Sequence, residues 1–264
     1  MFNRKCVILM VVITCVIWAI IDAAPNKKEN TEKSKGKNTI DSASQNEYET
    51  FSVKNKKGKV IAEYSIRDIP ELRCLDVIKL FNDYYLRDEP LNQLLGNVNN
   101  KDSFTDKWIV FLAQGENLGC FDTKTNELVG VLFGFAMEKQ EKKPQKKSNE
   151  NPIISSIFNF DVCDYFKVEK YMSISALVVH PNHRKRGIAE HLLSNTREIC
   201  KKLKLPLVSG VFTSDGSNKA AQKVGFNVTL GTRYDKLAAK YEDLRYLKGA
   251  KDKEINRRTI RYPY

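Results

Sequence analysis

The chain contains 264 residues, 42% of them hydrophobic and 29% charged, and its formal net charge is +12. These values exclude a fully disordered chain and allow one large domain or two small ones. Much of the positive excess lies in lysine-rich polar segments (residues 27–37, 54–59 and 139–147) without interleaved aromatic residues, which argues against a nucleic-acid-binding surface.

The N-terminus predicts a secretory signal peptide over residues 1–24. Arg4 and Lys5 precede an apolar run at residues 6–21, and small residues follow it. Since a membrane-spanning helix needs about 18–20 apolar residues, this run is slightly short, and an uncleaved signal anchor is the alternative. We therefore expect a protein of the secretory pathway that is secreted, or else one that is lumenal and anchored by residues 6–21.

The rest of the chain is expected to form one domain over residues 51–247. Residues 25–50 are polar and contain almost no large apolar side chains, so they predict a disordered linker. A run rich in Lys, Glu and Gln at residues 138–150 predicts an exposed insertion. The basic tail at residues 248–264 is expected to follow the domain or to add a last strand.

Within the domain, predicted helices alternate with predicted strands. Apolar residues at helical spacing predict the helices, and short apolar, β-branched runs predict the strands. In chain order these are a strand at 60–66, helices at 71–86, 89–95 and 104–112, a hairpin of 119–122 with 128–137, a strand at 173–180, a helix at 188–203, a strand at 205–212, a helix at 218–224 and a strand at 226–230. This order predicts a single α/β (α+β) domain.

Four cysteines lie in the predicted domain, and their wide spacing defines no pairs. Two disulfides are possible in an oxidising compartment, but buried free thiols that pack as small hydrophobic side chains are the favoured interpretation. The four are Cys74, Cys120, Cys163 and Cys200.

A basic, glycine-containing loop joins the strand that ends at His180 to the helix that begins at Ile188. The first N–H groups of a helix lack intrahelical partners and carry partial positive charge, so they bind anions. Gly187 allows close approach of the backbone, and Arg184, Lys185 and Arg186 add charge. The loop predicts a pyrophosphate site, although it is neither a P-loop nor a Gly-x-Gly-x-x-Gly loop. A plain turn with solvated basic residues is the alternative.

Two motifs resemble those of the GNAT superfamily of N-acetyltransferases. The stretch LVVHPNHRKRGIA (residues 177–189) resembles the acyl-CoA-binding motif, and AAQKVGF (residues 220–226) resembles the second motif. The resemblance implies a mixed central sheet flanked by helices and acetyl-CoA as co-substrate. It also implies that the backbone of Leu177, Val178 and Val179 pairs with the pantetheine arm. The residues implied to hold the pyrophosphate are Arg184, Lys185, Arg186, Gly187, Ile188 and Ala189.

A third segment, DEPLN at residues 88–92, resembles the insect-type arylalkylamine N-acetyltransferases, which include the dopamine acetyltransferases. Glu89 matches the proposed general base of that family, and Thr213 and Ser217 match a pair of serines. The resemblance implies transfer of an acetyl group to the primary amine of dopamine, tryptamine or octopamine by direct attack. Ser217, supported by Thr213, would protonate the leaving thiolate, since Ala221 stands where many GNAT enzymes have a tyrosine.

These residues also have structural interpretations that remain open. A carboxylate beside an apolar pocket has a raised pKa and can take a proton from an ammonium group, but Glu89 could equally complement a helix dipole. Ser217 could equally cap a helix. A strand N–H near Val178 is expected to stabilise the oxyanion. Three aromatic residues could line an amine pocket or belong to the core: Phe81, Tyr84 and Tyr85.

The expected partners are acetyl-CoA and a small amine, bound by a monomer, with no nucleic acid and no metal. A membrane is expected only if the N-terminal segment is an uncleaved anchor. The histidines have no Cys or carboxylate at metal-site spacing. Two other functions remain open: acetylation of polyamines or other amines, and a secreted, non-catalytic binding protein on the same fold, since acetyl-CoA is expected to be scarce outside cells.

Overall fold

The computed structural model describes residues 46–95, 101–139 and 156–263. Within these ranges one mixed sheet has eight strands in the order β1-β2-β3-β4-β5-β6-β8-β7. Neighbouring strands are antiparallel, apart from the parallel pair of β5 and β6. The strands are β1 (Glu47–Lys54), β2 (Val60–Asp68), β3 (Leu118–Asp122), β4 (Leu128–Glu138), β5 (Lys170–Val179), β6 (Leu207–Phe212), β7 (Asn227–Arg233) and β8 (Glu254–Arg261). The predicted α/β domain with a mixed sheet is confirmed.

Helix α1 starts as Cys74–Leu80, continues through a π-helical turn at Phe81–Tyr85 and ends with Leu86–Asp88. The other α-helices are α2 (Pro90–Leu95), α3 (Lys101–Gln114), α4 (Val162–Phe166), α5 (Ile188–Leu203), α6 (Asp215–Val224) and α7 (Tyr234–Lys240). Helix α5 has the predicted bounds. In the described ranges, no helix combines the length and the apolar character that crossing a membrane requires.

The sheet separates two hydrophobic cores. Consecutive strand residues point to opposite faces, so Leu132 of β4 packs in the core under α5 while Phe133 packs in the other core. Leu192 of α5 is fully buried in the first core. The second core is aromatic: Phe81 of α1 stacks on Phe133 with ring centroids 4.4 Å apart, and Trp108 of α3 lies 4.7 Å from Phe81.

A β-bulge at Ser175 changes the direction of β5. In the ladder with β4, Ala176 pairs with Phe133 and Ile174 pairs with the next residue, Gly134. Ser175 therefore has no partner on β4 and is the extra residue of the bulge. Ile174 therefore packs in the core under α5, whereas Ala176 packs in the aromatic core. The parallel pairing of β5 with β6 covers only residues 172–174. Beyond the bulge the two strands diverge and leave an opening in the sheet.

The folded domain begins before residue 51. Residues 47–50, predicted as the end of a disordered linker, belong to β1, which pairs with β2. The Tyr48 hydroxyl donates to Asp68 Oδ1 (2.7 Å), and Phe51 stacks on His191 of α5 at 3.6 Å between ring centroids. Sheet pairing together with these two aromatic contacts orders a segment whose polar composition predicts disorder.

The basic tail supplies a strand inside the sheet. β8 lies between β6 and β7, so β7 forms one edge of the sheet and β1 the other. Arg257 and Arg258 of β8 are only 6% and 8% exposed. Arg257 donates to the backbone oxygens of Ile157 (2.8 Å) and Phe158 (2.9 Å), which offsets the cost of burying its guanidinium group. The basic composition of the C-terminal tail therefore gives no indication that β8 is a buried strand.

All four domain cysteines are free; three are buried and Cys74 is half-buried. This agrees with their interpretation as small hydrophobic side chains. The predicted signal peptide, the linker up to residue 45 and residues 140–150 of the predicted insertion lie outside the described residues.

Candidate active site

A cleft of about 810 Å³ opens where β5 and β6 diverge. One end of it, the cofactor end, is formed by β5 beyond Ser175, the following loop and the first turn of α5. The other end, the acceptor end, is formed by residues 84–90, Thr213 with the first turn of α6, and Asp252.

At the cofactor end, the backbone of β5 presents hydrogen-bonding groups to the cleft. The His180 N–H donates to Val129 O (2.8 Å), and because hydrogen bonds alternate along an antiparallel ladder, Val178 is also turned toward β4. The backbone groups of Leu177 and Val179 therefore point into the cleft. This placement differs from the prediction, which gave Val178 the same role; its side chain is buried in the aromatic core.

The first turn of α5 can bind an anion. Its N-cap is Gly187 in the left-handed conformation (φ 82°), which makes no side-chain capping hydrogen bond. Lys185 is also left-handed (φ 61°). Ile188 and Ala189 line the cleft at this point, with the Ile188 side chain buried as an anchor. The first N–H groups of a long helix are thus available to a ligand, as the pyrophosphate prediction requires.

The two arginines of the loop have different contacts. Arg184 lines the cleft, where Nε donates to Val179 O (3.0 Å) and Nη2 to Asp88 Oδ2 (2.6 Å). Although burial acts to raise the pKa of Asp88, hydrogen bonds from neighbouring arginine side chains hold that pKa below its usual range. Arg186, predicted to hold the pyrophosphate, instead donates to the Tyr64 hydroxyl (2.5 Å) and fixes the loop to β2.

Glu89 lies at the acceptor end, between α1 and α2. Its Oε2 accepts from the Asn92 N–H (2.6 Å), and the carboxylate also forms a hydrogen bond with the Thr213 side chain. Burial raises the pKa of Glu89, while these hydrogen bonds and one from the Leu91 backbone act to lower it. The carboxylate therefore caps the short helix α2, lines the cleft and has a raised pKa.

Ser217 belongs to a capping box at the start of α6. The N-cap is Ser214, whose Oγ accepts from the Ser217 N–H (3.1 Å), and the Ser217 hydroxyl donates to Ser214 O (3.0 Å). Ser217 and Thr213 both line the cleft. The Thr213 carbonyl accepts from the Tyr234 hydroxyl (2.9 Å), which holds it beside the helix.

Of the three predicted aromatic pocket residues, Tyr84 and Tyr85 line the cleft and Phe81 does not. Phe81 is fully buried and stacks on Phe133 in the aromatic core. Tyr84 packs edge-on against His180 (4.7 Å between centroids). Burial, with a further contribution from the Glu89 charge, raises the pKa of Tyr85.

Sequence reasoning missed two charged residues near Glu89. Asp252 lines the acceptor end, and Lys107 lies over the rings of Trp108 (5.4 Å) and Phe111 (5.3 Å). Burial lowers the pKa of Lys107 to about 7, and the charge of Glu89 acts in the opposite direction. A sequence signal existed only for Lys107, which lies three residues after Phe104 and four before Phe111, on the apolar face of α3.

The histidines have partners other than a metal. His183 Nδ1 bonds with the Tyr64 hydroxyl (2.9 Å), and His191 Nδ1 lies 2.9 Å from Glu49 Oε1. Among the described residues, no group of three or more His, Cys, Asp or Glu side chains is arranged to hold a metal ion.

A family model described as Acetyltransferase (GNAT) family matches residues 79–226, a span from α1 to the end of the second predicted motif. The chain belongs to the GNAT acetyltransferase family. It is accordingly an acetyl-CoA-dependent N-acetyltransferase. The backbone groups that β5 turns into the cleft and the open first turn of α5 are suited to the pantetheine arm and pyrophosphate of that co-substrate.

Several solved structures resemble this GNAT enzyme. A candidate arylalkylamine N-acetyltransferase 7 from the yellow fever mosquito is 25% identical, with a TM-score of 0.69 over 86% of this chain and 99% of the mosquito chain. Arylalkylamine N-acetyltransferase 2 from Aedes aegypti is 15% identical (TM-score 0.62; 75% and 98% covered). An agmatine N-acetyltransferase mutant is 14% identical (TM-score 0.59; 75% and 99% covered). No curated protein matches the sequence of this chain.

Proposed function

We propose that this enzyme transfers the acetyl group of acetyl-CoA to the primary amine of an arylalkylamine such as dopamine, tryptamine or octopamine. The observation that carries the proposal is the position of Glu89: a half-buried carboxylate with a raised pKa, in the same cleft as the backbone of β5 beyond Ser175. Tyr84 and Tyr85 beside it suit an aromatic ring. The similarity to mosquito arylalkylamine N-acetyltransferases supports the same acceptor class.

In the proposed reaction, Glu89 accepts a proton from the ammonium group of the acceptor, because the protonated amine has no lone pair for attack. The neutral nitrogen then attacks the thioester carbonyl carbon, and a C–N bond forms. The negative charge develops on the carbonyl oxygen. We assign its stabilisation to the backbone N–H of Leu177, which β5 turns toward the cleft, since the Val178 N–H is turned toward β4.

Collapse of the tetrahedral intermediate breaks the C–S bond, and the leaving thiolate takes up a proton. We assign this proton donation to the Ser217 hydroxyl, supported by Thr213. In the structure the Ser217 hydroxyl donates to Ser214 O (3.0 Å), so the side chain exchanges this capping bond for one to the sulfur atom. Solvent then restores the serine proton and takes up the second proton of the acylated nitrogen and the proton held by Glu89, so that one proton is released in each turnover.

The test is release of free thiol from acetyl-CoA by the full-length protein with dopamine, tryptamine, spermidine or no amine. Faster release with the aromatic amines than with spermidine or the blank is the expected result. Bound acetyl-CoA without turnover of any amine would show that the acceptor class is wrong. Absence of both binding and turnover would favour the non-catalytic binding protein.

We propose in addition that the enzyme enters the secretory pathway through residues 1–24, on the basis of their basic, apolar and small-residue order. N-terminal sequencing of the protein from its native host tests this. A mature N-terminus near Ala24 is expected, whereas an intact apolar run in membrane fractions would show an anchored form.

A further inference from the structure

A single N-glycosylation sequon occurs in the chain, Asn227-Val228-Thr229. No other Asn of the 264 residues is followed two positions later by Ser or Thr. The apolar, strand-like residues around this sequon argue, from the sequence alone, for a buried segment in which a bulky glycan has no room. The exposure of the Asn227 side chain in the folded protein therefore decides whether the sequon can carry a glycan.

The structure places Asn227 at an exposed position on the sheet edge. It is the first residue of β7, and its side chain is exposed. The neighbouring Val228 is also 53% exposed. Among the described residues, the Asn227 side chain makes one long hydrogen bond, from Nδ2 to Gly225 O two residues earlier (3.5 Å). A glycosylated amide nitrogen keeps one N–H, so attachment of a sugar breaks no contact between distant parts of the fold.

The threonine of the sequon has a place of its own in the sheet. The ladder between β7 and β8 skips Thr229, which is the extra residue of a β-bulge. Its Oγ1 donates to Thr259 Oγ1 (3.0 Å). A substitution of Thr229 therefore alters a contact of the folded sheet as well as the sequon, and an experiment has to separate the two effects.

The open edge of β7 would benefit from a bulky surface group. Within the described ranges β7 pairs with β8 only, so the backbone groups along its other side are available to another chain. Apart from its bulge, β7 has little protection against such pairing, because its sequence NVTLGTR has no proline and one charge, at the last residue. A large hydrated group at the first residue obstructs an approaching strand.

The sequon is separate from the active-site cleft. None of residues 225–229 lines the cleft, although several residues of the preceding helix α6 do. A glycan at Asn227 therefore does not occupy the space in which acetyl-CoA and the amine are proposed to react.

We propose that Asn227 is a modification site that carries an N-linked oligosaccharide on its Nδ2 atom. This inference rests on the proposed entry into the secretory pathway and is independent of the identity of the acceptor amine. Both forms of that proposal, with residues 1–24 cleaved or retained as an anchor, place Asn227 on the lumenal side of the membrane, where N-glycans are added.

The glycosyl donor is a lipid-linked pyrophosphoryl oligosaccharide of the host cell, and a host transferase carries out the step. The Asn227 amide nitrogen attacks the anomeric carbon of the first sugar, and a C–N bond forms. The bond from that carbon to the phosphate oxygen breaks, and the lipid pyrophosphate leaves with the electron pair. The amide gives up one proton to a base of the transferase.

The test is translation of the full-length chain in the presence of endoplasmic reticulum microsomes, followed by added protease. Chains that have entered the lumen are protected, and their glycan is detected as a decrease in electrophoretic mobility that peptide N-glycosidase reverses. We expect the protected wild-type chain to carry one glycan and Asn227→Gln to carry none. Because glycan transfer precedes folding, a variant that folds poorly still reports on the site.

Variants of two threonines separate the sequon from the sheet. Thr229→Ala should lose the glycan, whereas Thr229→Ser should keep it, since a hydroxyl at this position completes the sequon. Thr232→Ala is the matched control: Thr232 is also a half-buried threonine of β7 but lies outside the sequon, so this variant should be glycosylated like the wild type.

A protected wild-type chain without a glycan, or a glycan that persists in Asn227→Gln, would overturn the inference and leave the proposed secretory entry intact. A wild-type chain that the protease degrades completely would overturn both. Acetyl transfer is measured separately, by thiol release, and does not depend on either outcome.

Discussion

The cofactor end and the acceptor end of the cleft are built in different ways. The cofactor end comes from one continuous segment, β5 through the first turn of α5, and its hydrogen-bonding groups belong mainly to the backbone. The acceptor end is assembled from three segments around Glu89, Thr213 and Asp252, and it acts through side chains. Backbone recognition depends on conformation, whereas side-chain recognition depends on residue identity, so the two ends should respond differently to substitution.

The largest effect is expected from removing the proposed base at the acceptor end. Glu89→Gln should lower kcat at neutral pH by about 10²–10⁴-fold, because the amide cannot accept the ammonium proton. Binding of acetyl-CoA, measured by calorimetry, should persist, since the cofactor end is untouched. Glu198→Gln, at an exposed position of α5 that does not line the cleft, is the matched control. An unchanged kcat in Glu89→Gln would remove this residue from the mechanism.

At the cofactor end, a change of conformation should matter more than a change of charge. Gly187→Ala places a side chain at φ 82°, which costs about 1–2 kcal/mol in the left-handed region. The KM for acetyl-CoA should rise about tenfold with little change in kcat at saturation. Gly58→Ala is the control, because Gly58 has a similar φ of 79° in the β1–β2 turn, away from the cleft. Equal effects of both variants on KM would show that strain alone, and not the loop, is responsible.

Substitutions at two serines of the acceptor end distinguish a catalytic role from a helix-capping role. Ser214→Ala should lower the free energy of unfolding by about 1 kcal/mol, since it removes the N-cap of α6. Ser217→Ala should lower kcat by about tenfold if its hydroxyl protonates the thiolate. Urea unfolding and steady-state kinetics on both variants measure the two effects. Loss of stability without loss of kcat in Ser217→Ala would leave Ser217 with a capping role only.

The smallest effect is expected at Lys107, behind the acceptor end. Its pKa is about 7 in the folded protein against an ordinary value of 10.5, so between these two values the unfolded chain binds more protons and stability rises with pH. Lys107→Met should therefore raise the melting temperature at pH 7, by about 2–4 °C for each kcal/mol gained. The gain should shrink by pH 10. A gain that is the same at both pH values would show that packing, and not charge, is responsible.

Much of the cofactor end could be predicted because its information is local. Gly187, the basic residues before it and the amphipathic pattern of α5 lie next to one another, and the bounds Ile188–Leu203 are those observed. Glu89 was identified through a short motif that is also continuous in the chain. The position of Arg186 was not predictable, because its partner Tyr64 lies on β2 and only the folded sheet brings the two together.

The sequence by itself determined the α/β class, the anion-binding helix terminus and the residue types available for acid–base chemistry, since these follow from periodicity and from local backbone preference. Tertiary structure decided which groups meet. The bulge at Ser175 opened the cleft and turned Leu177 rather than Val178 toward it, and the insertion of β8 between β6 and β7 carried Asp252 to Glu89. Strand order and register depend on contacts between distant residues, and these contacts leave no signal in the local pattern.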